Sequence, residues 1–164
     1  MEKLVINGGK RLMGSISVSG AKNVALKALV AACLTDEEVI IENIPLISDF
    51  MVMVNIIREL GGKVEIKDHA VSVRLKIFKK EKITLEDAAK IRTSAMFMAP
   101  LLARLKKAII PNPGGCRIGA RPIDRTIKGL KKMGFDASYN SDDGYFYLKA
   151  SKKQLKDNVT TYSF

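Results

Sequence analysis

Cys116 is the side chain in this sequence best suited to nucleophilic chemistry. Glycines at positions 114, 115 and 119 flank it, which lets the backbone bend and approach a ligand closely. The charged neighbours within 111–125 are three arginines and a single carboxylate: Arg117, Arg121, Arg125 and Asp124. Positive charge beside a cysteine favours the thiolate over the thiol. The stretch therefore predicts a reactive sulfur next to an anion site.

The loop around Cys116 connects a predicted strand to a predicted helix. The apolar run 108–110 predicts a buried strand before it, and apolar residues three or four apart after it predict a helix. Pro122 suits the first position of that helix, because the amide hydrogen that proline lacks would have no partner there. The positive end of the helix then faces the loop and favours a bound anion. A basic loop with an incidental cysteine stays open as an alternative, since one glycine-rich loop is a weak signal.

Composition indicates a folded, basic protein. The 164 residues are enough for one domain with a core, and 47% of them are hydrophobic. The 28 lysines and arginines exceed the 17 acidic residues, which gives a formal charge of +11. This excess indicates anionic partners. Nucleic acid is not expected among them, because aromatic residues are few and no nucleic-acid-binding motif is present.

The remaining reactive side chains predict no metal or disulfide. Cys33 and Cys116 do not make a disulfide framework, and Cys33 is expected to be buried at the end of an apolar helix. His69, the single histidine, lies in a predicted hairpin turn, so we expect neither a zinc site nor a Cys–His catalytic pair, and nothing else in the residues calls for a cofactor. The sequence has no signal-peptide core and no run of about 18 apolar residues. We therefore expect a cytoplasmic, reduced protein without membrane contact.

The first third of the chain predicts two strands and a helix. Alternating residues predict strands at 3–7 and 13–18, and an alanine-rich helix runs from Ala21 to Ala32. Lys22 and Asn23 fall in its first turn, where a lysine opposes the helix dipole. Two interpretations stay open: Lys22 is simply solvated, or it faces an anion together with the helix amides.

Two further helices are predicted in the middle of the chain. One runs from 50 to 60, capped by Ser48 and Asp49, with a core stripe that begins at Met51. The other runs from about 85 to 104, with Pro100 as a kink or boundary. An arginine in the first third of the second helix, Arg92, would by itself be assigned to the surface.

The chain contains an internal repeat. Ala21 to Pro45 matches Ala89 to Pro113 in outline, and a helix end followed by a hairpin recurs at an offset of about 70 residues. Each repeat predicts a βαβαββ-like unit. The fold class is therefore α/β with mixed sheets.

Three motifs resemble the UDP-N-acetylglucosamine 1-carboxyvinyltransferase family. They are P-G-G-C-x-I-G-A-R-P-x-D at 113–124, S-G-A-K-N at 19–23 and K-I-R-T-S-A at 90–95. The resemblance extends from Met1 to about Leu155 and implies the N-terminal portion of such an enzyme. The family transfers an enolpyruvyl group from phosphoenolpyruvate to UDP-N-acetylglucosamine, which is the first committed step of peptidoglycan synthesis. The sister family acting on shikimate 3-phosphate is a rival, and Cys116 argues against it.

The resemblance also implies a role for each motif residue. Cys116 matches the general acid that forms a covalent adduct and is alkylated by fosfomycin. Contacts to phosphoenolpyruvate are expected from Lys22, Asn23, Cys116 and Arg121. Contacts to the sugar nucleotide are expected from Asn23, Arg92, Arg121, Pro122, Ile123, Asp124 and Arg125. An apolar residue is common in the family at position 125, so this arginine departs from the pattern.

In this family the repeated units build two inside-out α/β globes. By resemblance, residues 1–20 form a strand hairpin of the second globe, and residues 21–164 form an incomplete first globe with two units and the start of a third. The rest of the site lies elsewhere in such enzymes. We therefore expect the 164-residue chain to be catalytically inactive, and a non-catalytic protein that only binds anions or self-associates is the alternative. Unpaired strand edges predict a homodimer.

Overall fold

The structure, a computed structural model, describes residues 3–112 and 123–151. Within them the helices are α1 (Lys22–Ala32), α2 (Ser48–Glu59), α3 (Leu85–Lys90), α4 (Met98–Leu105) and α5 (Asp124–Lys132), with a 3₁₀ segment at Arg92–Phe97. The strands are β1 (Glu38–Ile41), β2 (Lys63–Lys67), β3 (Ala70–Arg74), β4 (Lys107–Pro111), β5 (Phe135–Asn140) and β6 (Tyr145–Ala150).

The strands form two three-stranded sheets with the same topology. Their orders are β1-β3-β2 and β4-β6-β5. This identity confirms the internal repeat as two successive units of helix, strand, helix and hairpin. The named strand pairs are all antiparallel, so the expectation of mixed sheets is wrong for them. A parallel contact occurs as one isolated bridge between Lys82 and Ile109.

A continuous hydrophobic core lies between the helices and one face of each sheet. Along β3, Val71 and Val73 are buried while Ser72 between them is not, which is the period of a strand with one covered face. Along β4, Ala108 and Ile110 are buried in the same way. The largest fully buried side chains include Phe50, Phe97, Leu29, Ile57 and Leu101. The inside of the fold is therefore made chiefly by α1, α2 and α4.

The predicted helix from 85 to 104 is divided into three segments. The break falls at Ile91, whose backbone is extended at φ −148° and ψ 127°, and not at Pro100. Pro100 is the third residue of α4, so the N–H that proline lacks costs no hydrogen bond within α4 itself. The hydroxyl of Ser94 binds the carbonyl oxygen of Ile91, and such local bonds compete with helical hydrogen bonding. Arg92 is consequently the first residue of the 3₁₀ segment.

Helix α2 begins and packs differently from the prediction. Ser48 is its first helical residue rather than its cap, and the N-cap residue Ile47 makes no side-chain capping bond. Met51 is 39% exposed, and the buried methionine is Met53. The covered stripe is centred on Val54, and one position from Phe50 to Met51 turns the side chain by about 100° around the helix axis.

Residues 3–20 form no strand, which contradicts the predicted hairpin. Their large apolar side chains are between 81% and 96% exposed: Leu4, Val5, Ile6, Leu12, Met13, Ile16 and Val18. A lone two-stranded hairpin is marginally stable in water, and alternation alone does not supply the surface that a strand must pack against. The assignment of this segment to a second globe stays a prediction.

The other two predicted hairpins are confirmed. β2 and β3 are joined at Asp68 and His69, and Nδ1 of His69 lies 2.9 Å from the carbonyl oxygen of Ile44. β5 and β6 are joined through 141–144 and pair from Phe135 with Ala150 to Asn140 with Tyr145.

Arg104 joins the two units. Its guanidinium donates hydrogen bonds to the carbonyl oxygens of Cys33, Thr35, Leu75 and Lys76, at 2.6 to 3.2 Å. These carbonyls lie at the end of α1 and just beyond β3, in the first unit. Arg104 itself lies in α4, which leads into the second sheet. One charged side chain therefore provides hydrogen-bond donors for backbone carbonyls that the end of a helix and the end of a strand leave without partners.

Candidate functional site

A cavity of about 430 Å³ opens where α1, α2, the helix break and α5 meet. α1 contributes Lys22 and Asn23, and α2 contributes Asp49. The segment around the break contributes Arg92 and Lys90, and the start of α5 contributes Ile123 and Thr126. Elements from both repeats thus supply polar side chains to one hollow. Convergence of this kind is the default mark of a binding site.

Lys22 is held in the cavity by an ion pair with Asp49. Lys22 is half exposed and Asp49 is less so, with side-chain exposures of 52% and 31%. The pair forms because α1 packs against α2 and both helices begin at the cavity. A tethered ammonium loses less freedom when a ligand anion arrives than a free one would. Asp49 belongs to none of the three sequence motifs, and its place in the first turn of α2 is the one sequence feature that could have indicated an anchoring role.

Arg92, the residue directly after the helix break at Ile91, lines the cavity. Lys90, the residue directly before the break, also lines the cavity. Its ammonium is bound by Glu86 at 2.9 Å and Asp87 at 3.4 Å. The hydrogen bond to Glu86 raises the pKa of Lys90, so the side chain carries its charge throughout the neutral range. Lys90 belongs to one of the three sequence motifs, yet sequence analysis gave it no role.

The loop that carries Cys116 lies outside the described residues, as do Arg121 and Pro122. Its two ends are described. Asn112 follows β4 and donates its N–H to the carbonyl oxygen of Gly144, and Ile123 lines the cavity directly before α5. Asp124 and Arg125 occupy the first turn of α5 and are exposed, without lining the cavity. Of the predicted site residues, the structure therefore brings Lys22, Asn23, Arg92 and Ile123 together.

A second hollow of about 690 Å³ lies against the sheet β4-β6-β5. Among the described residues that line it, none is one of those assigned to the site from the sequence. Two of the three lysines that line it have acidic neighbours, because Lys107 pairs with Glu81 and Lys149 lies opposite Asp136 on the next strand. We assign the site to the smaller cavity, since charge and motif residues coincide there.

The described residues contain no cluster of three or more acidic, histidine or cysteine side chains that could hold a metal ion. None of the described helices is long and apolar enough to cross a membrane.

Residues 6–163 match the family model of EPSP synthase (3-phosphoshikimate 1-carboxyvinyltransferase). The chain belongs to this family. Among curated members, it is 41% identical over 162 residues to the UDP-N-acetylglucosamine 1-carboxyvinyltransferase of Koribacter versatilis, covering 96% of the chain. It is 38% identical over 160 residues to the enzyme of the same name from Thermotoga petrophila, covering 98%. These alignments span 36% and 37% of those two relatives.

A solved enolpyruvyl transferase shares the fold of this chain. The enolpyruvyl transferase NikO from Streptomyces tendae superposes with a TM-score of 0.74 at 22% identity, over 90% of this chain and 32% of that protein. The fold described here is therefore shared with that protein over the matched region.

Proposed function

We propose that this chain supplies part of the active site of an enzyme that transfers an enolpyruvyl group from phosphoenolpyruvate to the 3′-hydroxyl of UDP-N-acetylglucosamine. The reaction releases phosphate and begins peptidoglycan synthesis. The observation that supports the proposal is the convergence of Lys22, Asn23, Arg92 and Ile123 on one cavity, at the point where the loop with Cys116 ends. The relatives that match at about 40% identity carry the name of this activity.

The chemistry is an addition followed by an elimination. The sugar hydroxyl gives up its proton to a base as its oxygen bonds to the central carbon of phosphoenolpyruvate, while the methylene carbon gains a proton from an acid and becomes a methyl group. Phosphate then leaves with its bonding oxygen, and the methyl group loses a proton to restore the vinyl group. The site must therefore deliver and remove one proton and hold the phosphate throughout.

Each motif residue has a place in this scheme by resemblance. Cys116 supplies the proton and forms the covalent adduct with phosphoenolpyruvate. Lys22 and Arg121 neutralise the phosphate, and such preorganised charge is commonly the largest contribution to catalysis. Asp49 orients Lys22 through the ion pair, so the ammonium is in place before the substrate arrives. Asn23 completes the contacts to phosphoenolpyruvate at the start of α1.

The sugar nucleotide would lie along Arg92 and the stretch from Arg121 to Arg125. Ile123 supports this position because it lines the same cavity as Arg92. The guanidinium of Arg92 can bind phosphate through two parallel hydrogen bonds. Asp124 and Arg125 stand beside the cavity on the first turn of α5, close enough in the chain to reach the parts of a ligand that extend outward.

Two alternatives follow from the comparisons. The family model carries the name of the shikimate enzyme, so shikimate 3-phosphate is a rival acceptor. Cys116 and the names of the curated relatives favour the sugar nucleotide. The second alternative is a chain that binds anions without turnover. This alternative is consistent with the chain spanning about 36% of the length of the Koribacter versatilis relative.

Titration of the isotope-labelled chain, followed through backbone amide shifts, tests the proposal. We expect UDP-N-acetylglucosamine to bind weakly and to shift residues at the start of α1, at Arg92 and at the start of α5. Arg92→Gln should weaken this binding, whereas Arg74→Gln, at an exposed position on β3, should not. Shifts with shikimate 3-phosphate and none with the sugar nucleotide would contradict the proposed acceptor. Phosphate release with both substrates should stay at background, and turnover by the isolated chain would overturn the expected inactivity.

A further inference from the structure

Lys90 and Arg92 line the same cavity although they are two residues apart. In a continuous α-helix, two positions turn a side chain by about 200°, which would place these cations on opposite faces. The extended backbone at Ile91 removes this conflict. The break in the helix is therefore what brings both charges to one hollow.

The break is fixed by buried groups. The side chain of Ile91 is 4% exposed, and its carbonyl oxygen accepts hydrogen bonds from the hydroxyl and the N–H of Ser94. Ser94 is fully buried. Lys90 and Arg92 are thus carried by a backbone that packing and hydrogen bonds hold in one conformation.

The ammonium of Lys90 is positioned and still has capacity to bind. Two of its three N–H groups are directed to Glu86 and Asp87, and within the described part of the chain the third has no acceptor. Asp87 is 7% exposed and accepts a further hydrogen bond from the hydroxyl of Thr84 at 3.0 Å. Glu86 and Asp87 do not line the cavity. The two carboxylates therefore fix the position of the Lys90 ammonium without occupying the cavity wall.

The charged side chains described around the cavity are three cations and one carboxylate: Lys22, Lys90, Arg92 and Asp49. Because Asp49 is paired with Lys22, the two cations on either side of the break face the hollow without a lining carboxylate of their own. An extended dianion fits this arrangement better than a single charge. Arginine offers a planar fork, and lysine adds a point charge beside it.

We propose that Lys90 acts with Arg92 to bind the diphosphate of the sugar nucleotide. This inference rests on the proposed function and adds a residue to its substrate site. The two cations bind neighbouring phosphates, and the helix break sets their separation. Lys90 is a binding residue and takes no part in proton transfer.

The test compares the affinity of the chain for UDP with that for uridine, by calorimetry or amide shifts. Lys90→Gln should weaken UDP binding by about tenfold, because it removes a charge-assisted hydrogen bond to a phosphate oxygen. It should leave uridine binding unchanged, and Lys90→Arg should restore most of the affinity for UDP. Lys63→Gln, at an exposed position on β2, is the matched control and should bind UDP as the unaltered chain does.

Glu86→Gln separates binding from a structural role. It removes the carboxylate that pairs with Lys90 and leaves the positive charge of Lys90 in place, so the affinity for UDP should stay equal or rise. If Glu86→Gln weakens UDP binding as much as Lys90→Gln does, the lysine only stabilises α3 and the inference is wrong. UDP binding by Lys90→Gln within about twofold of the unaltered chain would also overturn it. Failure of the unaltered chain to bind UDP at millimolar concentration would instead overturn the proposed function, and this inference with it.

Discussion

The hydroxyl of Ser94 donates a 2.7 Å hydrogen bond to the carbonyl oxygen of Ile91, three residues before it. The same oxygen accepts the N–H of Ser94 at 3.3 Å. Both residues are buried, so water does not compete for these groups. This contact holds the backbone at the point where the helical stretch turns toward the cavity.

Ser94→Ala should therefore destabilise the protein and loosen the site. Loss of one buried hydrogen bond costs about 1 kcal/mol of unfolding free energy, because the N–H of residue 94 can still bind the carbonyl. Urea denaturation measures this change. The control is Ser17→Ala, at an exposed position, which should alter stability by less than about 0.5 kcal/mol. Equal stability of the two variants would show that the Ser94 hydroxyl contributes nothing.

Arg104→Gln should be among the most destabilising polar substitutions in the chain. Four carbonyl oxygens lose a charged donor, and a hydrogen bond to a charged group contributes about 1.5–3 kcal/mol. We expect a loss of about 2–3 kcal/mol, since water can reach part of this region. Arg74→Gln, at an exposed position, should cost little. A loss below about 1 kcal/mol for Arg104→Gln would mean that solvent replaces its bonds.

Limited alkylation should modify Cys116 well before Cys33. Cys33 is fully buried, its Sγ lies 3.4 Å from the carbonyl oxygen of Leu29, and burial raises its pKa to about 12. Little thiolate therefore forms there at neutral pH. Peptide mapping after brief treatment with iodoacetamide measures the order, and the unfolded chain in urea should label at both positions. Equal rates in the folded chain would remove the case for a reactive Cys116.

Cys33 should also make the protein less stable in alkaline solution. The thiol has an ordinary pKa of 9.0 in the unfolded chain, whereas burial raises the pKa in the folded chain to about 12 despite the opposing charge of Arg104. Between these values the unfolded chain loses the proton and the folded chain keeps it, so rising pH favours unfolding. From about pH 9 to about pH 10.5 this amounts to at most about 2 kcal/mol. Cys33→Ala should have a smaller decline over that range in parallel denaturation curves, and identical declines would contradict the assignment.

Residues 3–20 should promote self-association. Seven large apolar side chains in this segment are more than four-fifths exposed, which favours contact with a second copy. The formal charge of +11 opposes association, so dimers should be more evident as salt is raised. Sedimentation over a range of concentrations measures this, with a chain starting at Ala21 as the control. A monomer at high concentration, with residues 1–20 rapidly cleaved by protease, would end the dimer proposal.

Sequence patterns were sufficient where local chemistry decides the structure. The hairpins β2-β3 and β5-β6 follow from alternating residues around a turn, and the repeat follows from matching segments. The helix break could not be seen in this way. Ile91, Ala95, Met98 and Leu102 are all buried and keep helical spacing straight across it. The pattern of burial is the same whether or not the backbone turns at Ile91.

The parts of the site that sequence analysis missed depend on contacts between distant segments. Asp49 is recognised as the partner of Lys22 only once α1 and α2 are packed together. The prediction of a hairpin at 3–20 was wrong because an alternating strand needs an apolar surface to pack against. The described part of the chain does not provide that surface. Local sequence determines what a segment can form, and the surfaces it meets determine what it does form.

The strand orders β1-β3-β2 and β4-β6-β5 place the last strand of each unit at the centre of its sheet. β1 and β2 do not touch each other, and neither do β4 and β5, until that final strand lies between them. During synthesis on the ribosome, the first sheet therefore cannot pair before residues 70–74 have emerged, and the second cannot pair before 145–150. Until then the apolar strands of each unit stay exposed, which is when a nascent chain is most prone to aggregate.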